Sequence, residues 1–399
     1  MKKLMMATAA TALMSGAAFA DGHANEVKIG VILGFTGPIE TITPAMAEGA
    51  EFAMQEVTDS GLLLDGATVT PVRADSTCVD SGAAASAAER LITSDKVSGI
   101  MGADCSGVTG AILSNVAVPN GVVMVSPSAT SPGLSHQNNE DNGLFFRTAP
   151  SDARQGVVMT DVLIEDGVKS VALTYTNNDY GKGLADAFQA AFEAAGGTVT
   201  ISAAHEDGKA DYSAEVGALA AAGGDRLVVA GYVDQGGSGI VRAALDTGAF
   251  DTFHFPDGMV GATLEETFGD EIDGSTGQVP GTDSAGGDMF ATLVDGAFDT
   301  TSPYAGESYD AAALLMLAMQ AAGSTDSNDY KASIFDVANA PGEKIFPGEL
   351  AKGLTILKDG GDIDYVGASA VELVGPGEAS GSYRQIIIED GKMKTVQFR

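Results

Sequence analysis

The sequence contains no tryptophan, two cysteines and four histidines, and its 21 lysines and arginines stand against 54 aspartates and glutamates. The formal net charge of −33 repels phosphate backbones and anionic lipid faces alike, which excludes nucleic acid as a partner. His23, His136, His205 and His254 are scattered without metal-ligand spacing, and no calcium-loop motif occurs, so no metal is expected. The stretch GFTGP (Gly34 to Pro38) lacks the glycine spacing of a dinucleotide loop, so no cofactor is expected either. Beyond the N-terminal stretch no apolar run is long enough to cross a bilayer. The acidity itself is read as a means of solubility.

What is present begins with MKKLMMATAATALMSGAAFADG: two lysines, a short apolar stretch, then small residues before Asp21. That is the pattern of a secretory signal peptide over residues 1–20, with Ala18, Phe19 and Ala20 matching the rule for cleavage after Ala20. An exported, periplasmic protein is expected. Export places Cys78 and Cys105 where oxidation is permitted, and we read them as one disulfide.

The chain is longer than one hydrophobic core organises, which predicts two domains. EVKIGVILG reads as a buried strand, and Ala47, Ala50, Met54 and Val57 recur after it at helical spacing. The alternation continues through TVTPVRADS, VSGIMGADC and GVVMVSPSAT, with helices between, and implies a parallel sheet covered on both faces. It breaks at the polar stretch SPGLSHQNNEDNGLFFRTAPSD and resumes as a second wheel from KSVALTYTNND to TFHFPDGM. Two α/β lobes with a crevice between them follow. YDAAALLMLAMQAAGS (Tyr309 to Ser324) reads as a buried helix, and the tail holds two strand-like runs.

In open α/β sheets ligands gather where strands end and helices begin. GADCSGVTG and SPSATSP take such places on the first wheel, and NNDYG, GYVDQGG and FPDG on the second. Hydroxyls and amides dominate the first set, aromatics and carboxylates the second. A zwitterion matches both, with Ser106 and Thr130 donating to its carboxylate and Asp257 accepting from its amino group. Replacing Asp257 by alanine is expected to abolish binding with little loss of stability. A rival reading, an exported amidase or other hydrolase using Ser106 or Cys105, lacks a G-x-S-x-G elbow and a well-placed histidine.

The succession KIGVILGFTGP, ADSTCVD, GADCSGVTG, VVMVSPSATSPGLS, FFRTAPSD, NNDYGKGLADAF, DYSAEV, GYVDQGG and FPDG, from about Lys28 to Gly261, resembles the periplasmic leucine/isoleucine/valine-binding proteins of ABC transporters. The resemblance implies the type I periplasmic binding fold: two Rossmann-like lobes with parallel sheets, joined by a hinge that the chain crosses three times. It implies a first lobe over residues 26–147, a second over 148–260, a return to the first over 261–340 and a finish in the second over 341–399. Carried over position by position, it gives Ser106 as a carboxylate donor, Ser128 or Ala129 for backbone contacts, Thr130 for its hydroxyl and amide, then Tyr180, Tyr232 and Asp257. The cysteine pair matches the family's disulfide. The implied protein is a non-enzymatic monomer that captures an amino acid, branched-chain or related, and docks on membrane permease subunits; a ligand-sensing module of a receptor system shares the fold. Glu40, in the loop after GFTGP, argues against a purely aliphatic ligand, and Asp257 stands where a glutamate is often found.

Overall fold

In Glu26–Leu33 the residues Val27, Ile29, Val31, Ile32 and Leu33 are all buried, as a strand covered on both faces requires. This strand, β1, belongs to the first of two sheets in the computed structural model, which describes residues 26–139 and 141–399. The leader expected over residues 1–20 lies outside them. Beside β1 stand β2 (Thr68–Asp75), β3 (Gly99–Gly102), β4 (Met124–Ser126) and β5 (Phe145–Arg147), all parallel, in the order β5-β4-β3-β1-β2. The second sheet repeats the plan. Its strands β6 (Ser170–Thr176), β7 (Thr198–His205), β8 (Arg226–Ala230), β9 (Phe253–Phe255) and β10 (Thr276–Pro280) run parallel in the order β10-β9-β8-β6-β7.

The C-terminal part supplies a small parallel pair, β11 (Glu343–Ile345) and β12 (Ile363–Tyr365), and then closes one edge of each large sheet. The two-residue strands β13 (Leu373–Val374) and β14 (Glu378–Ala379) join the first sheet at β5. The hairpin of β15 (Tyr383–Glu389) and β16 (Lys392–Phe398) joins the second at β10. Two seven-stranded α/β lobes result, the two-lobed type I periplasmic binding fold expected from the sequence.

Two of the expected lobe boundaries need correction. The rhythm weakens at Gly261, yet β10 still belongs to the second sheet, so the chain leaves that lobe after Pro280 rather than at 260. Residues 343–379 belong to the first lobe, and only 383–398 return to the second, so the break expected at 340 falls after Ala379. A buried acid holds this tail in the first lobe. Asp310, on the helix Ala305–Ala322, accepts from the Tyr365 hydroxyl at 2.7 Å, the Ala368 amide at 2.8 Å, and the Ser369 amide and hydroxyl at 2.7 and 2.6 Å. Burial lifts the Asp310 pKa to about 6, and the four donors oppose that rise without cancelling it.

The same helix is buried from Ala305 to Met319 at nearly every position and stops at Gly323, which takes the left-handed φ of 63°. It packs on the helix Thr43–Ser60, whose buried face carries Ala47, Ala50, Met54 and Val57. The contact is close: a Cβ on Gly49 would lie 2.3 Å from the Ala305 carbonyl oxygen. Among the described residues no helix is long and apolar enough to cross a membrane.

Candidate functional site

Strand order decides where the site forms. In each lobe the order reverses beside the first strand, and loops leaving the carboxyl ends of its neighbours open a crevice there. Ser106 follows β3 and Ser128 follows β4 in the first lobe; Tyr180, Tyr232 and Asp257 follow β6, β8 and β9 in the second. All five line one cleft between the lobes. Ile39, Ile42, Asp104 and Tyr304 line it with them.

The second-lobe wall is organised on Asp257, which is 2% exposed. Its carboxylate accepts from the Tyr180 hydroxyl at 2.6 Å, from Gln155 Nε2 at 3.0 Å and from the Tyr304 hydroxyl. Tyr180 and Tyr232 stack with centroids 5.1 Å apart, offering an aromatic face beside the acid. Burial, and then the Asp257 charge, push the Tyr180 and Tyr304 phenols well above their ordinary range, so both remain donors. Behind Asp257 lies Asp152, whose carboxyl is held high by burial first and by the Asp257 charge second.

The first-lobe wall is neutral apart from Asp104. The Ser106 hydroxyl accepts from the Ser131 amide at 3.1 Å, and among the described residues no acceptor takes its proton. The Ser128 hydroxyl donates to the Asp104 carbonyl oxygen at 3.0 Å. Ala129 and Thr130 do not line the cleft. The Ala129 amide donates to Ser126 Oγ at 2.9 Å and its carbonyl accepts from Arg147 at 2.9 Å, while the Thr130 hydroxyl donates to Asp152 at 2.9 Å. Both are fully buried behind the wall, where they hold the floor together rather than face the crevice.

The lobes meet across the mouth of the cleft. Thr41 donates to the Asp234 carboxylate from its amide at 3.0 Å and from its hydroxyl at 2.8 Å, and the Asp234 amide donates to the Pro38 carbonyl at 3.2 Å. The described conformation is therefore closed.

Residues 26–341 match the model of the family described as periplasmic binding protein. The chain belongs to this family. Its relatives include the Leu/Ile/Val-binding protein BraC3 of Rhizobium johnstonii, 30% identical over 90% of this chain and 91% of that one. Leu/Ile/Val-binding protein homolog 3 of Brucella melitensis is 34% identical over 58% of this chain, spanning 60% of that protein's length. The crystal structure of a leucine-binding protein from Thermotoga maritima superposes with a TM-score of 0.78 at 24% identity, covering 93% of this chain and 98% of that one. The resemblance read from the sequence is borne out, and so is the fold.

In this periplasmic binding protein Cys105 is bonded to Cys78, with Cα atoms 5.1 Å apart, and is no free nucleophile. No histidine lines the cleft beside Ser106 among the described residues, so the hydrolase reading finds no Ser–His pair there. His205 and His254 are buried elsewhere, each bonded to a threonine hydroxyl, and burial lowers their pKa values to about 4 and about 3. Glu40 is also corrected. It is exposed and accepts from the Gly37 amide at 3.4 Å, while its neighbours Ile39 and Ile42 turn into the cleft. Sequence reasoning passed over Tyr304 and Asp104. The second stood inside the quoted GADCSGVTG, where a charged residue in an otherwise small and neutral turn was the signal.

Proposed function

We propose that this chain is the extracytoplasmic substrate-binding component of an ABC importer, capturing an amino acid in the inter-lobe cleft and handing it to a membrane permease unchanged. One observation carries the reading: the Ser106 hydroxyl, whose proton no described residue accepts, faces an acid ringed by tyrosine hydroxyls at Asp257, across a cleft closed by both lobes. An amino acid's carboxylate suits the first wall and its ammonium the second. Desolvating either end without such a partner costs several kcal/mol. For a ligand of about nine heavy atoms the efficiency ceiling allows up to ~13 kcal/mol, and micromolar binding needs only ~8 kcal/mol.

In this reading the protein works as a periplasmic monomer, its leader removed after Ala20, and performs no catalysis. Relatives named for leucine, isoleucine and valine support an amino acid as the ligand class. The test is a calorimetric and thermal-shift screen of amino acids with product analysis of the same samples. Stoichiometric, saturable binding with the compound recovered intact is expected. Turnover of any compound, or a cleft that accepts no amino acid, overturns the proposal.

A further inference from the structure

The cleft holds a carboxylate that capture of a simple zwitterion leaves unused. Asp104 is 2% exposed and stands in the lining next to Cys105 and Ser106. Its Oδ2 accepts from the Gly34 amide at 2.6 Å and its Oδ1 from the Ser76 hydroxyl at 2.9 Å. Both donors are neutral, as are the Asp104 and Cys105 backbone amides that also act on this carboxylate, so no cation partners it. Among the described lining residues there is no lysine, arginine or histidine, so Asp104 and Asp257 give the cleft two acids and no cation.

A zwitterion with an aliphatic side chain corrects only half of this. Its ammonium goes to Asp257, and its carboxylate goes to the wall where Asp104 stands, adding a third negative group to a desolvated space. Two like charges there repel, and water is not available to screen them. Burial already holds the Asp104 carboxyl above its ordinary range despite the bonds from Gly34 and Ser76. A second positive group on the ligand removes the imbalance. The cleft of the closed form is tight, and Ile39 and Ile42 share its lining, which favours a short side chain for that group.

We propose that Asp104 is a specificity-determining residue and that the ligand is an amino acid whose short side chain ends in a second amino group. The inference rests on the amino-acid-binding reading above and narrows it. The test is calorimetric titration of the mature protein with 2,4-diaminobutyrate and ornithine, set against norvaline and leucine, repeated on Asp104→Asn. At least one diamino acid should bind the wild type tenfold or more tightly than norvaline, and in Asp104→Asn that preference should shrink below threefold while norvaline binding persists. A merely structural anchor would lower all affinities together and leave the ranking unchanged. Leucine or norvaline binding as tightly as both diamino acids, or an unchanged ranking in the variant, overturns the inference. The wild-type ranking decides even if the variant fails to fold. Aliphatic binding alone sinks only this inference, whereas a cleft that takes none of the four, nor any other amino acid, sinks the parent reading with it.

Discussion

Asp257 serves the fold as well as the ligand, and two substitutions separate the roles. Alanine removes the shared acceptor of the Tyr180 hydroxyl, the Tyr304 hydroxyl and Gln155 Nε2, all within a wall that is almost fully buried. Each buried donor left without a partner costs about 1–3 kcal/mol. Against this stands the relief of Asp152, whose carboxyl the Asp257 charge helps to hold high. The net expectation for Asp257→Ala is a loss of about 2–4 kcal/mol of stability, which overturns the sequence-level expectation that the fold would hardly notice. Asp257→Asn keeps one acceptor oxygen and removes the charge, so stability should change by about 1 kcal/mol or less. Its ligand ammonium loses a charge-assisted partner at a cost of about 2–3 kcal/mol, a fall in affinity of about 30- to 150-fold. Urea denaturation and calorimetric titration of both variants measure the two quantities. An alanine variant as stable as wild type, or an asparagine variant with unaltered affinity, refutes the reasoning.

Glu307 is 7% exposed, and burial lifts its carboxyl to about 8, with the Asp310 charge adding to the rise and Arg384 opposing it. The folded state thus keeps a proton that the unfolded chain has lost, so stability falls as pH rises from about 4.5 to about 8. Glu307→Gln should flatten that decline and add up to about 3 kcal/mol at pH 7; urea melts at pH 5 and pH 8 check both, and a variant with the wild-type slope contradicts the assignment. Replacing Cys78 and Cys105 together should cost about 3.5 kcal/mol by loop entropy and leave amino acid affinity within a few fold. Thermal melts of variant and parent measure it, and free thiols on the native exported protein would contradict the bond.

The strands that the sequence made legible are those with unbroken apolar runs, such as β1 and β8, since burial on both faces leaves a composition that needs no context. β5 was hidden because its three residues, Phe145–Arg147, sit in a polar stretch, and Arg147 is buried there by donating to the Ala129 and Ser131 carbonyls and the Ser135 hydroxyl and by pairing with Glu378. β10 reads TGQVP, with glycine, glutamine and proline in a wholly buried strand, and so hid the true second crossing. β13 and β14 are two residues each, too short for any periodicity. Within the site, Ser106 and Asp257 were readable because each follows a strand, whereas Ser128, Tyr180 and Tyr232 came from the family resemblance carried over position by position. Tyr304 follows no strand. It enters from the loop before a helix, at a left-handed φ of 64°, and only the return of the chain to the first lobe brings it to Asp257. Glu40 misled because charge was read without direction in a loop whose isoleucines point inward.

Closure itself can be tested apart from ligand contact. The bonds from Thr41 and Thr263 to Asp234, and from the Asp234 amide to Pro38, link Pro38 and Thr41 in the first lobe to Asp234 in the second. Asp234 does not line the cleft, so its carboxylate acts on affinity only through the closed state. The two bonds from Thr41 are exposed, and net values near 0.5–1 kcal/mol apiece give about 1–2 kcal/mol for closure. Asp234→Ala should therefore weaken binding by about 5- to 30-fold, mainly through faster release, because an open cleft admits ligand as readily but holds it less. The chain has no tryptophan to mask tyrosine emission, and three of its nine tyrosines, Tyr180, Tyr232 and Tyr304, line the cleft, so the change in emission on stopped-flow release of bound ligand follows the cleft. The ranking of ligands should stay as in the wild type, since the contacts that distinguish them are untouched. A release rate equal to the wild type's would show that these cross-lobe bonds do not hold the closed form, and a changed ranking would show that Asp234 reaches the ligand after all.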